Sequence, residues 1–201
     1  MNKLIQTLTL TFLIALLAPA AVVFAQDNSP KTPSVPAAQS DAKKAIAKLK
    51  TLSGSWQGTV MEIPINFTIR AVSSGTAILH EGNTSKEGPP KNEITMFYRD
   101  GDRLLATHYC DAGNRTHMEG KLSADEKTIE LRFLEVVGST RGGYLKDMVI
   151  TLIDADHHRV GITFIMPDGK PIPLRANFQR TPGSAGLHTG NKRLYDGTLN
   201  K

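Results

Sequence analysis

Cysteine is almost absent from this chain: among 201 residues there is one, Cys110. A lone thiol closes no disulfide within the chain, so an apolar core must hold the fold together. Long apolar runs are also missing. The one at Leu8 to Leu17 is shorter than the roughly 20 residues of a membrane-spanning helix. No block of five or more like charges occurs, and the net charge of +5 is spread along the chain. That balance serves solubility and excludes the clustered basic footprint of a nucleic-acid partner. The densest basic group, Lys43, Lys44, Lys48 and Lys50, fits the wet face of a helix. After Gly54 helical periodicity stops, which excludes a parallel sheet with its long helical crossovers.

What is present begins with a targeting pattern. Lys3, the apolar run and the small residue closing Val23-Phe24-Ala25 predict a signal peptide over residues 1–25, cleaved before Gln26. No cysteine lies near the cut, so a lipid anchor there is excluded. The expected protein is periplasmic or secreted, without a membrane span once cleaved. Residues 26–39, with Pro30, Pro33 and Pro36, predict a flexible leader. Residues 183–201, polar and glycine-containing, predict a disordered tail. Asn66, Asn83 and Asn114 each open an Asn-x-Ser/Thr triplet, relevant only in a glycosylating host.

Between these flanks, residues 40–182 read as one domain. Ser40 or Asp41 caps a helix to about Leu52, with Ala42, Ala45, Ile46 and Leu49 on one face. From Ser55 the apolar period becomes two. Ile63, Ile65, Phe67 and Ile69 alternate with polar residues, as do Ile129, Leu131 and Phe133, and Ile172, Leu174, Ala176 and Phe178. Asp100-Gly101 and Pro167-Asp168-Gly169 mark hairpins. About ten strands joined mostly by short turns predict an all-β fold: an antiparallel up-and-down barrel, which leaves no edges. Such a barrel is large enough for one small ligand. Expected core or lining residues are Ile65, Phe67, Ile69, Leu131, Phe133, Ile162, Phe164, Leu174 and Phe178. The same alternation serves a filled and a hollow barrel.

Polar and reactive side chains crowd into one stretch, His108-Tyr109-Cys110-Asp111 with Asn114, Arg115 and His117. At a barrel mouth His108, Tyr109, Asn114, Arg115 and His117 form a candidate ligand-binding set, with Arg115 pairing an acid and a His or Tyr its other edge. His108 and Tyr109, adjacent on a strand, face opposite sides. The plainer reading has Asp111, Asn114 and Thr116 hydrogen-bonding the loop backbone, with His108 a satisfied core histidine. His108 and Cys110 share a face and would make a base and nucleophile, but no third orienting group or oxyanion turn accompanies them. His108 and His117, with Cys110 or Asp111, match no zinc spacing, so no metal is expected. His157-His158 reads as a solvated turn, and His80 beside Glu81 as a wall residue.

Leu49-x-x-Leu52-x-Gly54-x-Trp56-x-Gly58 resembles the opening of lipocalin-like (calycin) barrels, where the tryptophan closes one barrel end over the core; that role transfers to Trp56. Phe97-Tyr98-x-Asp100-Gly101 through His108-Tyr109-Cys110-x-Ala112-Gly113-Asn114, with Asp154-Ala155-Asp156-His157, resembles uncharacterised bacterial exported proteins with that barrel. The likeness runs from about Lys48 to Arg180. It departs at Gly161-Ile162, where many such proteins carry a tryptophan. Nitrobindin-like haem barrels are similar in shape only: their glycine-rich opening is missing beyond Gly54-x-Trp56, so no cofactor is expected. The reading is a binder of a small apolar or amphipathic molecule without catalysis. A hydrolase or isomerase using His108 and Cys110, and a structural protein with a filled barrel, are the alternatives.

Overall fold

A computed structural model of the chain describes residues 40–84 and 91–182. The expected signal peptide, leader and tail lie outside them. Among the described residues no helix is long and apolar enough to cross a membrane.

Helix α1 (Asp41–Thr51) starts where the Ser40 side chain accepts from the Lys43 amide. Asp41 in its first turn and Lys48 and Lys50 in its last complement the helix dipole. Ten strands follow: β1 (Gly54–Val60), β2 (Ile63–Val72), β3 (Ala77–Thr84), β4 (Lys91–Asp100), β5 (Arg103–Tyr109), β6 (Asn114–Leu122), β7 (Thr128–Gly138), β8 (Tyr144–Leu152), β9 (His157–Ile165) and β10 (Pro171–Arg180). Each pairs antiparallel with its chain neighbour, and β1 pairs with β10 to close the barrel. The expected antiparallel up-and-down barrel of ten strands with a short leading helix is the observed fold. Between β5 and β6 the chain reverses in a tight turn, because Gly113 at φ 83° lets Cys110 N–H meet Asn114 C=O at 3.0 Å. Asn114 and Arg115 are therefore strand residues.

The barrel is filled at one end and hollow toward the other. Ala42, Ala45, Ile46 and Leu49 of α1 pack into a core with Trp56, Ile78, Phe97, Leu104, Met118 and Leu131. Lys44 and Lys48 of α1 each reach Glu126 of the β6–β7 turn at 3.2 Å, exposed pairs worth little by themselves. Trp56 is buried where the helix ends, its indole N–H donating to Leu52 C=O at 2.8 Å. Gly58 on β1 is a close approach: a Cβ there would run into the Phe178 ring. In the other half the wall loosens between β7 and β8. Their ladder covers only Thr128 to Leu131 against Met148 to Thr151. Beyond it the Asp147 carboxylate accepts from the Phe133 amide at 3.0 Å, and a register shift falls between Leu145 and Asp147.

Candidate functional site

The inward faces of β1–β5 and β8–β10 surround a cavity of about 380 Å³, within the size range of small-molecule sites. Its wall is mostly aliphatic and aromatic: Val60, Ile65, Phe67, Ile69, Phe97, Leu145, Met148, Ile150, Val160, Ile162, Phe164, Leu174, Ala176 and Phe178. Into this wall project His80, Glu93, Thr95, His108 and His158, and the exposed Arg175 also borders it. Of the nine expected core or lining residues, Leu131 lies in the filled end and Phe133 is half-buried against Tyr144. The other seven line the cavity.

Alternation on β9 sends His158, Val160, Ile162 and Phe164 inward. His158 is 1% exposed, which corrects the expected solvated turn; only His157 is exposed there. The imidazole of His158 meets Trp56 edge-on at 4.2 Å and stacks on Phe178 at 5.5 Å. Neither of its ring nitrogens has a hydrogen-bond partner. Burial, then the nearby Arg180 cation, lowers its pKa to about 4. His80 tilts against Phe67 at 4.4 Å. Burial first, then the neighbouring His108 and His158, lowers it to about 3. Three neutral imidazoles thus share one apolar chamber.

His108 is 5% exposed, and its Nδ1 lies 2.9 Å from Thr95 Oγ1 on the adjacent strand. Burial lowers its pKa to about 4, so its 4.0 Å approach to Glu93 Oε2 is a contact of a neutral ring with a carboxylate. The hairpin register sets this grouping. Thr95 faces His108 directly, and Ile94 faces Tyr109, which leaves Glu93 opposite Cys110. Cys110 Sγ sits 3.7 Å from Glu93 Oε1 and 3.7 Å from Asp111 Oδ1. Burial pushes the Cys110 thiol up to about 11, with Glu93 and Asp111 adding to the rise. The ligand atoms of Glu93, His108 and Cys110 all lie within 4.8 Å of one another.

The structure does not bring the five sequence-predicted site residues together. His108 faces the cavity. Tyr109 points the other way and is 48% exposed. Arg115 is exposed. His117 hydrogen-bonds Thr107 Oγ1 at 3.1 Å, away from the cavity lining. Asn114 is buried, but its amide donates to Ser139 C=O and Gly143 C=O, both at 2.8 Å, and so pins the β7–β8 loop. Sequence reasoning missed Glu93, Thr95 and His158 as site residues. A signal existed for each: the Asp100-Gly101 turn places Glu93 and Thr95 across from Cys110 and His108, and the β9 alternation carries His158 inward with Val160.

Comparisons with known proteins bear on the fold. No protein-family model matches the sequence, and no curated protein matches it. Among solved structures the chain is similar to Rv2717c from M. tuberculosis, at a TM-score of 0.53 and 17% identity over 68% of this chain and 97% of that one. A protein of unknown function of the DUF3598 family from Nostoc punctiforme matches at 0.44 and 11% identity, over 66% of this chain and 49% of that one. EF1p2_mFAP2b, solved bound to DFHBI, matches at 0.33 and 12% identity, over 69% and 98%. The likeness to Rv2717c is one of barrel fold.

Proposed function

We propose that this chain is an exported, periplasmic or secreted barrel that holds one small apolar or amphipathic molecule in its cavity, without catalysis. We place it with the exported bacterial lipocalin-like barrels that its His-Tyr-Cys-x-Ala-Gly-Asn string resembles. The observation that carries the reading is the pairing of an apolar chamber of about 380 Å³ with two partnerless buried nitrogens on His158. A buried polar atom without a partner costs about 1–3 kcal/mol. A ligand supplying one hydrogen bond there recovers that cost, and its apolar body covers the surrounding wall. His108 and His80 would orient a second polar group.

The alternatives draw less support. A thiol held near 11 beside two carboxylates is a poor nucleophile at neutral pH, and a His108 held near 4 is a weak base. A filled scaffold does not account for the chamber. Native mass spectrometry of the protein, purified gently from its own host, tests the reading. The expected result is a retained small molecule that disappears in Ala176→Trp, whose indole would occupy the cavity. An empty spectrum, with no melting shift across a lipid and metabolite library, would overturn it.

A further inference from the structure

We propose that Glu93, His108 and Cys110 form a binding site for a divalent transition-metal ion of the zinc class at the edge of the cavity. The donor set is one carboxylate oxygen, one imidazole nitrogen and one sulfur, the mixture that such ions prefer. Its geometry is close to a coordination sphere. Bonds of about 2.0–2.3 Å at tetrahedral angles put neighbouring ligand atoms about 3.3–3.7 Å apart. Here Cys110 Sγ to Glu93 Oε1 is 3.7 Å, and His108 Nε2 to Glu93 Oε2 is 4.0 Å. These two distances run to different oxygens of Glu93, and one ligand atom from each residue lies within 4.8 Å of the others, so a change of glutamate rotamer with shifts of up to about an ångström would close the sphere on one oxygen.

An independent observation concerns His108. The ring is buried, and Thr95 Oγ1, itself buried, holds Nδ1 at 2.9 Å. In the tautomer whose Nδ1–H donates to Thr95, Nε2 carries the lone pair, 4.0 Å from Glu93 Oε2. This is the arrangement in which an outer hydrogen bond fixes the tautomer of a metal-bound histidine. Coordination forms a metal–sulfur bond and releases the Cys110 thiol proton to solvent. Three protein ligands leave one position for water or for a donor atom of a molecule in the cavity, because Glu93 and His108 both line it. The inference does not depend on what fills the cavity, and its test uses the metal alone.

Tag-free protein, reduced and stripped with chelator, is titrated with Co²⁺ as a spectroscopic stand-in and with Zn²⁺ by calorimetry. The expected result is a thiolate-to-cobalt charge-transfer band with tetrahedral d–d bands, saturating at one ion per chain. Cys110→Ser removes the band. Glu93→Gln and His108→Asn weaken Zn²⁺ binding by more than roughly tenfold, and Thr95→Val by roughly 10- to 100-fold. His157→Ala, on an exposed residue elsewhere, leaves it unchanged. Circular dichroism confirms that each variant is folded, and Glu93→Gln with Cys110→Ser, both at partly exposed positions, keep the test decisive if a buried variant unfolds. No band in the wild-type protein, or a band indifferent to Glu93→Gln, would overturn the proposal.

Discussion

His158 stands edge-on to Trp56 at 4.2 Å, and neither of its ring nitrogens has a hydrogen-bond partner. A histidine in that position is held neutral, and its pKa falls from 6.5 to about 4. The unfolded chain then takes up a proton first as the pH drops. Stability from this residue is complete above pH 6.5 and is lost as pH falls toward 4. The loss amounts to about 2 kcal/mol by about pH 5 and about 3 kcal/mol in all. His80 and His108, lowered to about 3 and about 4, add losses of the same sign. Urea unfolding at a series of pH values measures the sum. In His158→Phe the dependence is expected to flatten by the His158 share, while stability at neutral pH rises by about 1 kcal/mol as an unmet polar group leaves the core. An unchanged pH profile in that variant would show that His158 is solvated or charged.

Arg180 ties the last strand to the helix end. Its guanidinium donates to Ser53 C=O at 2.6 Å, Thr51 C=O at 3.1 Å and Ala155 C=O at 2.9 Å. It also lies 4.3 Å from the Trp56 ring centroid, a cation–π contact. Loss of this fork in Arg180→Ala is expected to cost about 3 kcal/mol, since the carbonyls lose a charge-assisted partner. Arg180→Lys is expected to recover less than half, because one ammonium neither spans three carbonyls nor stacks on an indole. Thermal or urea denaturation of the two variants checks this, and equal stability of Lys and Arg at the position would refute the fork.

Asn114, a candidate ligand contact by sequence, bridges Ser139 C=O and Gly143 C=O with its amide. Those bonds hold the β7–β8 loop where the two strands no longer pair. Asn114→Asp replaces a double donor by an acceptor facing two carbonyls. It is expected to destabilise the barrel by about 3 kcal/mol, against about 2 kcal/mol for Asn114→Ala. Hydrogen exchange is expected to speed up first in residues 139–145. Uniform exchange along the chain, with protection near Gly143 intact, would argue against the pin.

The barrel was legible because its alternation is regular and its turns carry Gly, Asp and Pro at the positions those turns need. Register was legible too, at least locally: Asp100-Gly101 fixes Thr95 against His108. Facing direction was harder. Around Glu93 both strand faces carry apolar residues, Ile94, Met96 and Tyr98 on one and Phe97 on the other, so parity alone did not choose the inward one. The filled end depends on α1 folding over one end of the barrel. That is a contact between elements far apart in sequence, and alternation does not report it. His158 was hidden by its neighbours, because Asp154-Ala155-Asp156-His157 is turn chemistry up to the residue before the strand turns inward.

Residues on the outer and inner faces of β5, β6 and β9 separate the binding reading from a surface one. Tyr109 and Arg115 are exposed, whereas His108 and His158 line the cavity. Tyr109→Ala and Arg115→Ala are expected to stay within about 0.5 kcal/mol of the wild type in stability and to retain the copurified molecule. His108→Ala and His158→Phe are expected to lose it or to weaken it by about tenfold, the equivalent of one hydrogen bond of about 1.4 kcal/mol. Native mass spectrometry under identical conditions compares all four. Loss on Arg115→Ala with retention on His158→Phe would move the site from the barrel interior to its outer face.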